Sequence, residues 1–189
     1  MTQNHGEDRA KLIALITERS FRDGEEFTLA SGRKSTIYFN LKPTMMSADG
    51  ARLIAAQVLH KIGDRNVDLI GGLEMGAVPL ATAVAQASSQ TAKVINAFFV
   101  RKAAKQHGTQ SLVEGLVADD TMAGKKIVVI EDVTTTGGSA IKAAQALREE
   151  GAEIISVITI VDRQEGAAEA FTQADLPFEA ILTKADFTK

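Results

Sequence analysis

Glu131 and Asp132 stand side by side directly after the apolar run Ile127-Val128-Val129-Ile130, and Val133, Thr134, Thr135, Thr136, Gly137, Gly138 and Ser139 follow them. Two adjacent carboxylates at the end of an apolar run repel each other and are costly unless they face a polar partner. Together they suit the hydroxyls of a sugar or a hydrated magnesium ion. The stretch after them, rich in glycine and hydroxyl side chains, lets backbone N–H groups approach an anion closely. A helix starting there adds about half a positive charge at its N-terminus. A phosphate monoester fits such a cradle. An ordinary strand-to-helix turn capped by Thr and Ser has the same composition, and the carboxylate pair is what favours a ligand.

A second group of capable residues lies upstream. Arg101, Lys102, Lys105 and His107 fall in one short stretch without an acid, and Gly108, Thr109, Gln110 and Ser111 follow. This composition predicts a mobile loop. Cations that close over a leaving polyphosphate stabilise the charge that develops as its bond breaks; a solvated charged turn is the plain alternative. Other signatures are missing. There is no G-x-x-x-x-G-K-[ST] and no G-x-G-x-x-G, and Gly71-Gly72-Leu73-Glu74-Met75-Gly76 has the wrong spacing. His5, His60 and His107 form no cluster with metal-ligand spacing, and no G-x-S-x-G elbow occurs.

Composition bounds the rest. The chain has 189 residues, 45% of them hydrophobic, which fits a single domain over residues 1–189. It has no cysteine, so disulfides, thiol nucleophiles and thiolate metal sites are excluded, and the cytoplasm is the expected compartment. The first residues lack the order of a signal peptide. The apolar runs near residues 77–85 and 154–161 fall short of the roughly 18–20 residues a membrane span needs. The 21 Lys and Arg against 24 Asp and Glu give a net charge of -3, which disfavours nucleic acid as a partner. Without Arg101, Lys102 and Lys105 the balance becomes 18 against 24, an acidic body with one cationic segment.

The elements that must position these residues follow from periodicity. Residues 8–19 read as a helix, 27–30 and 36–41 as a hairpin with its turn at 31–35, and 48–62 as a helix capped by Ser47 and stopped by Gly63. Strands are expected at 67–70, 94–100, 112–117, 127–130, 154–161 and 178–182, with helices at 79–88, 139–150 and 166–173. Strands alternating with crossover helices imply a largely parallel sheet covered on both faces, with ligands at the C-terminal ends of its strands.

Residues 129–139 resemble the phosphoribosyl-diphosphate (PRPP) binding signature of the type I phosphoribosyltransferases. The resemblance implies that Glu131 and Asp132 hold the ribose 2- and 3-hydroxyls, and that Thr134 to Ser139 wrap the 5-phosphate, with Val133 also in the PRPP site. R-K-x-x-K-x-H-G at 101–108, followed by Leu112-Val113-Glu114-Gly115, resembles the flexible catalytic loop of the orotate phosphoribosyltransferase family. In that family the loop reaches the site of the neighbouring subunit, so a homodimer is implied. Arg101, Lys102, Lys105 and His107 would contact PRPP, with Lys105 and His107 catalytic. His107 can equally be a neutral donor, since a lone histidine does not establish acid–base chemistry.

Phe27 to Ser35 and Tyr38-Phe39-Asn40 resemble the same family's N-terminal hood, with Tyr38 and Phe39 at orotate. In a regular strand these two point to opposite faces, so one of them being core stays open. Arg163 and Thr135 occupy the positions that contact orotate in the family; a guanidinium suits its carboxylate, and a surface ion pair is the alternative for Arg163. Two departures stand out: Ala30 where some members carry lysine, and Glu74-Met75 where some carry Tyr-Lys. Glu74 faces a diphosphate-bound magnesium ion or simply opens a helix.

The implied whole is a type I phosphoribosyltransferase fold, α/β, with a mostly parallel central sheet flanked by helices and a small hood at about residues 20–45. The implied activity is a transferase (glycosyltransferase) reaction of pyrimidine biosynthesis that makes orotidine 5-phosphate and diphosphate from orotate and PRPP. Mg2+ would be held mainly by PRPP without direct protein ligands, and neither nucleic acid nor membrane would be a partner. A transferase for a purine base and a nucleic-acid-binding regulator of the same fold are the rival readings.

Overall fold

The computed structural model of the chain describes residues 5–28, 34–103, 112–117 and 120–188. The expected turn at 31–35 therefore lies partly outside the described residues.

The run Ile127-Val128-Val129-Ile130 is buried throughout because strand β7 (Lys126–Thr134) is covered on both faces. Successive side chains of a strand point to opposite faces. Val128 and Ile130 pack with Leu12 and Ile16 of helix α1 (His5–Arg19), Leu53, Ile54 and Val58 of α3 (Ala48–Ile62), and Leu80 and Val84 of α4 (Ala77–Ser88). Ile127 and Val129 pack on the other side with Ala140, Ala143, Ala144 and Leu147 of α5 (Gly138–Glu149) and Phe171 of α6 (Ala167–Gln173). A strand buried on both faces reads as continuous β-branched residues, which is the pattern found here.

Five strands form the main sheet, in the order β4 (Asn96–Ala97), β3 (Leu69–Gly71), β7, β8 (Glu153–Asp162), β9 (Phe178–Thr183), and every neighbouring pair is parallel. This is the mostly parallel, helix-flanked sheet expected. The chain runs outward from β3 to β4, then crosses back to β7 and proceeds the other way. The order thus reverses between β3 and β7, and at such a switch point the strand ends leave a crevice. Helix α3 begins and ends as its sequence dictates. Ser47 Oγ accepts from the Gly50 N–H at 3.2 Å, and Gly63 closes the helix at φ 58° by donating to the Leu59 carbonyl.

The structure departs from the expected elements in four places. The acidic pair lies inside β7, because β8 keeps pairing beyond it, Glu131 opposite Thr159 and Thr134 opposite Asp162. The stretch 94–100 splits. β4 joins the main sheet, whereas β5 (Phe99–Val100) pairs antiparallel with β6 (Val113–Glu114). The hairpin starts earlier, as β1 (Phe21–Thr28) against β2 (Lys34–Phe39), with a register shift between Asp23 and Phe27. A short helix α2 (Lys42–Met45) follows it, too brief to leave a periodic trace.

Tertiary contacts fix both of these last elements. Phe21 and Phe39 pack 5.0 Å apart between ring centroids, and Phe187 joins them at 5.6 and 5.1 Å. Arg9 of α1 holds the turn before Phe187 through two hydrogen bonds to Asp186, 2.8 and 2.9 Å. In α2, Thr44 and Met45 are buried, and the Thr44 hydroxyl shares a 2.6 Å hydrogen bond with that of Ser20. Among the described residues no helix is long and apolar enough to cross a membrane.

Gly50 is the contact on which α2 sits: a Cβ there would lie 2.0 Å from the Thr44 carbonyl oxygen. Gly50→Ala is therefore expected to destabilise the fold by roughly 1–3 kcal/mol through backbone displacement. Gly138→Ala, where a Cβ meets nothing within 4 Å, does not. Denaturant unfolding of the two variants measures the contrast.

Candidate active site

Two adjoining clefts open at the C-terminal ends of β3 and β7. The first, about 420 Å³, is lined by Lys42, Leu73, Glu74, Gly76, Lys102, Glu131, Asp132 and Ser139 among others. The second, about 740 Å³, takes in Tyr38, Phe39, Lys102, Glu131, Val133, Lys142, Arg163 and residues 135–139. Leu73, Lys102, Glu131, Val133 and Ser139 border both, so the two form one continuous depression.

Glu131 lies where the clefts meet, and Asp132 lines the first. Burial pushes the Glu131 carboxyl up from 4.5 to about 7; the Thr134 hydroxyl, donating to Glu131 Oε2 at 2.5 Å, opposes this, and the neighbouring Asp132 charge adds to it. Thr134 is itself buried and lines neither cleft. Its side chain supports Glu131, whereas Thr135, Thr136, Gly137, Gly138 and Ser139 border the second cleft. Asp132 owes its place to Gly76, where a Cβ would sit 2.6 Å from Asp132 Oδ1.

The loop after β7 turns into α5 through Gly137, which is left-handed at φ 82°; a Cβ there would come within 2.9 Å of the Phe171 ring. No side chain caps the helix, so its first N–H groups have no side-chain partner. That arrangement suits an anion.

The expected cations are placed differently from one another. Lys102 borders both clefts, and its backbone N–H donates to Glu74 Oε1 at 3.0 Å, so Glu74 also faces the first cleft. Arg101 borders neither; its guanidinium lies 3.8 Å from Glu114. Lys105 and His107 lie outside the described residues.

At the other end, Arg163 follows β8 with only 3% of its surface exposed. Its Nε donates to Glu165 Oε1 at 3.0 Å and its Nη2 to Ser35 Oγ at 3.1 Å. It is thus ion-paired and yet borders the second cleft, combining the two readings that the sequence held apart. The aromatic pair divides as strand alternation requires: Tyr38 is 39% exposed at the cleft, while Phe39, 7% exposed, packs with Phe21 and Phe187 and contributes to the cleft wall.

Sequence reasoning missed Lys42, Ser35, Lys142 and Glu165. Lys142 stands one helical turn after Ser139, a spacing that could have flagged it. Lys42 is brought in by the packing of the hood and had no local signal, whereas Ser35 closes the stretch that resembles the hood. Among the described residues no three His, Cys, Asp or Glu side chains gather to hold a metal ion.

A parallel sheet with a carboxylate pair and an uncapped glycine turn at its switch point marks the class. The phosphoribosyl transferase domain family matches residues 38–175. Within that class, the orotate phosphoribosyltransferase of Bradyrhizobium sp. (strain BTAi1) is 58% identical over 179 residues, 95% of this chain and 96% of its own. The crystal structure of Mycobacterium tuberculosis H37Rv orotate phosphoribosyltransferase in complex with Fe(III) dicitrate is similar with a TM-score of 0.82 and 37% identity, covering 96% of this chain and 99% of that one. The Mycobacterium tuberculosis H37Rv enzyme in complex with PRPP is similar at 0.78 and 34%, covering 95% and 98%. The chain belongs to the orotate phosphoribosyltransferase family.

The raised Glu131 pKa has a stability consequence. The folded chain holds this proton more tightly than the unfolded one, so the group's contribution is full below about 4.5 and is lost as pH rises through about 7. Glu131→Gln removes that dependence, and the stability of the variant relative to the native chain is expected to grow between about pH 5 and pH 8. Unfolding free energies across that range provide the check; parallel curves for the two proteins would assign the dependence elsewhere.

Proposed function

We propose that this chain transfers the 5-phosphoribosyl group of PRPP to orotate, giving orotidine 5-phosphate and diphosphate for pyrimidine nucleotide (UMP) synthesis. The observation that carries the reading is the juxtaposition, in one depression, of the Glu131–Asp132 pair, the uncapped turn at 135–139 and Arg163. Membership of the orotate phosphoribosyltransferase family supports it independently.

Each group has a task that its chemistry suits. Ionised Glu131 and Asp132 accept hydrogen bonds from the ribose 2- and 3-hydroxyls. The first N–H groups of α5 and the hydroxyls of Thr135, Thr136 and Ser139 take the 5-phosphate. Arg163, whose Nε is already held by Glu165, has further N–H groups for the orotate carboxylate, beside Thr135 and the exposed face of Tyr38. The base nitrogen then bonds to the anomeric carbon as the bond from that carbon to the diphosphate oxygen breaks, through an oxocarbenium-like state. Positioning supplies much of the catalysis, and Lys102 together with Lys105 and His107 neutralises the leaving group.

A magnesium ion held mainly by the PRPP phosphates and its own waters would fit this lining, with Glu131 and Asp132 left to the ribose hydroxyls. When bound, it supplies positive charge to the diphosphate. The working unit in this reading is a homodimer with the catalytic loop shared between subunits. A groove between α3 and α4, lined by small residues such as Ala51, Ala55, Ala83 and Ala87 next to exposed Met46, supports that assembly.

Turnover of PRPP with orotate, uracil, adenine, guanine and hypoxanthine tests the substrate, and the expected result is activity on orotate alone. Purine turnover without orotate turnover would replace the reading with that of a purine enzyme. A pH series tests the role of Glu131. Because hydroxyl donors favour the ionised carboxylate, PRPP affinity is expected to rise as pH passes about 7. Thr134→Val removes a hydrogen bond that favours ionisation and so moves this rise to higher pH. An unshifted profile in the variant would exclude the Thr134–Glu131 couple from binding.

A further inference from the structure

The two clefts divide the substrate. The turn at 135–139, Tyr38 and Arg163 all border the second, so the 5-phosphate and the base belong there. With the ribose held where the clefts meet, the diphosphate falls in the first. That cleft is lined by three carboxylates, Glu74, Glu131 and Asp132. The loop facing Asp132 carries Glu74 and Met75 and brings no cation of its own. A diphosphate carrying about three negative charges needs positive partners to enter such a place. Among the described residues the cations lining it are Lys102 and Lys42.

We infer that Lys42 is a diphosphate-binding residue of this site, held in place by α2; the inference rests on the phosphoribosyl-transfer reading above. Lys42 borders the first cleft but not the second. Among the described residues no hydrogen bond or ion pair engages its ammonium, although three carboxylates line the same cleft. Its backbone, by contrast, is firmly fixed. Leu41 before it and Thr44 and Met45 after it are buried, its N–H donates to Asn40 Oδ1 at 3.3 Å, and Gly50 seats the Thr44 carbonyl. A fixed backbone with an unengaged ammonium at an acidic cleft is the arrangement expected of a residue that meets an anionic ligand. The short helix also explains the placement: α2 begins three residues after the end of β2, the strand that presents Tyr38, so one short segment borders both clefts.

Titration calorimetry of diphosphate and of PRPP with magnesium, on the native chain and on Lys42→Gln and Lys42→Arg, tests this. Lys42→Gln is expected to weaken diphosphate binding and raise the KM for PRPP by roughly tenfold or more, the loss of one charge-assisted contact. The KM for orotate at saturating PRPP and the melting temperature stay as in the native chain, and Lys42→Arg restores most of the loss. Equal diphosphate affinity in the native chain and Lys42→Gln overturns the role of Lys42 while leaving the transferase reading intact. A loss in both variants accompanied by a lower melting temperature makes α2 a purely structural element and overturns it too. Failure of the native chain to bind either PRPP or diphosphate sinks the transferase reading and this inference together.

Discussion

The site is organised by one constraint: two carboxylates are held within the last paired residues of a strand that is covered on both faces. The same apolar cover that buries Ile127 to Ile130 withdraws water from Glu131 and pushes its carboxyl up to about 7. Such a group is retained only where something compensates for the lost hydration. Within the protein that compensation is small, a single hydroxyl from Thr134, since the neighbouring Asp132 charge opposes ionisation. In the proposed reading the ribose hydroxyls complete it. The remainder of the rim follows from this, because the glycine turn, the entry into α5 and the placing of Arg163 beside Thr134 all continue from the same strand end. The Arg163 N–H donates to the Thr134 carbonyl at 2.9 Å, tying the arginine at the second cleft to the strand of the acidic pair through one backbone hydrogen bond.

Much of this was legible in the amino acids because it is local. Ser47 and Gly63 delimit α3 as caps should, and the β-branched run of β7 signals a strand buried on both faces. The order of strands and helices suffices for a parallel sheet and for a crevice at its C-terminal rim. What depends on long-range packing was not legible. The length of β8 carries β7 past the acidic pair, and four residues of α2 are too few to show a period. Phe187 closes over Phe21 and Phe39 from the far end of the sequence, which decides which member of the Tyr38–Phe39 pair becomes core. Alternation alone could say only that the two would part.

The arginine at the base end shows how a simple choice between two roles dissolves in three dimensions. From the sequence, Arg163 reads as either a ligand-binding group or a partner in an ion pair. Its guanidinium is both buried against Glu165 and open to the second cleft, and Ser35 of the hood takes one of its N–H groups. Such a fork is oriented by its acidic neighbour, so less freedom is lost when a planar carboxylate arrives. Contact with Ser35 also joins the hood to the sheet at the second cleft.

The close approach of Gly76 to Asp132 reaches beyond this one chain. Any side chain at residue 76 would occupy the volume that Asp132 Oδ1 now fills, so the carboxylate would have to turn away from its present place in the cleft. Sequence drift in the loop is therefore channelled. Met75, 63% exposed, can change in size and charge, whereas a side chain at the glycine beside it displaces a carboxylate of the site. Variants of this loop should accordingly differ in what they offer the ligand just before the glycine, and agree at the glycine itself.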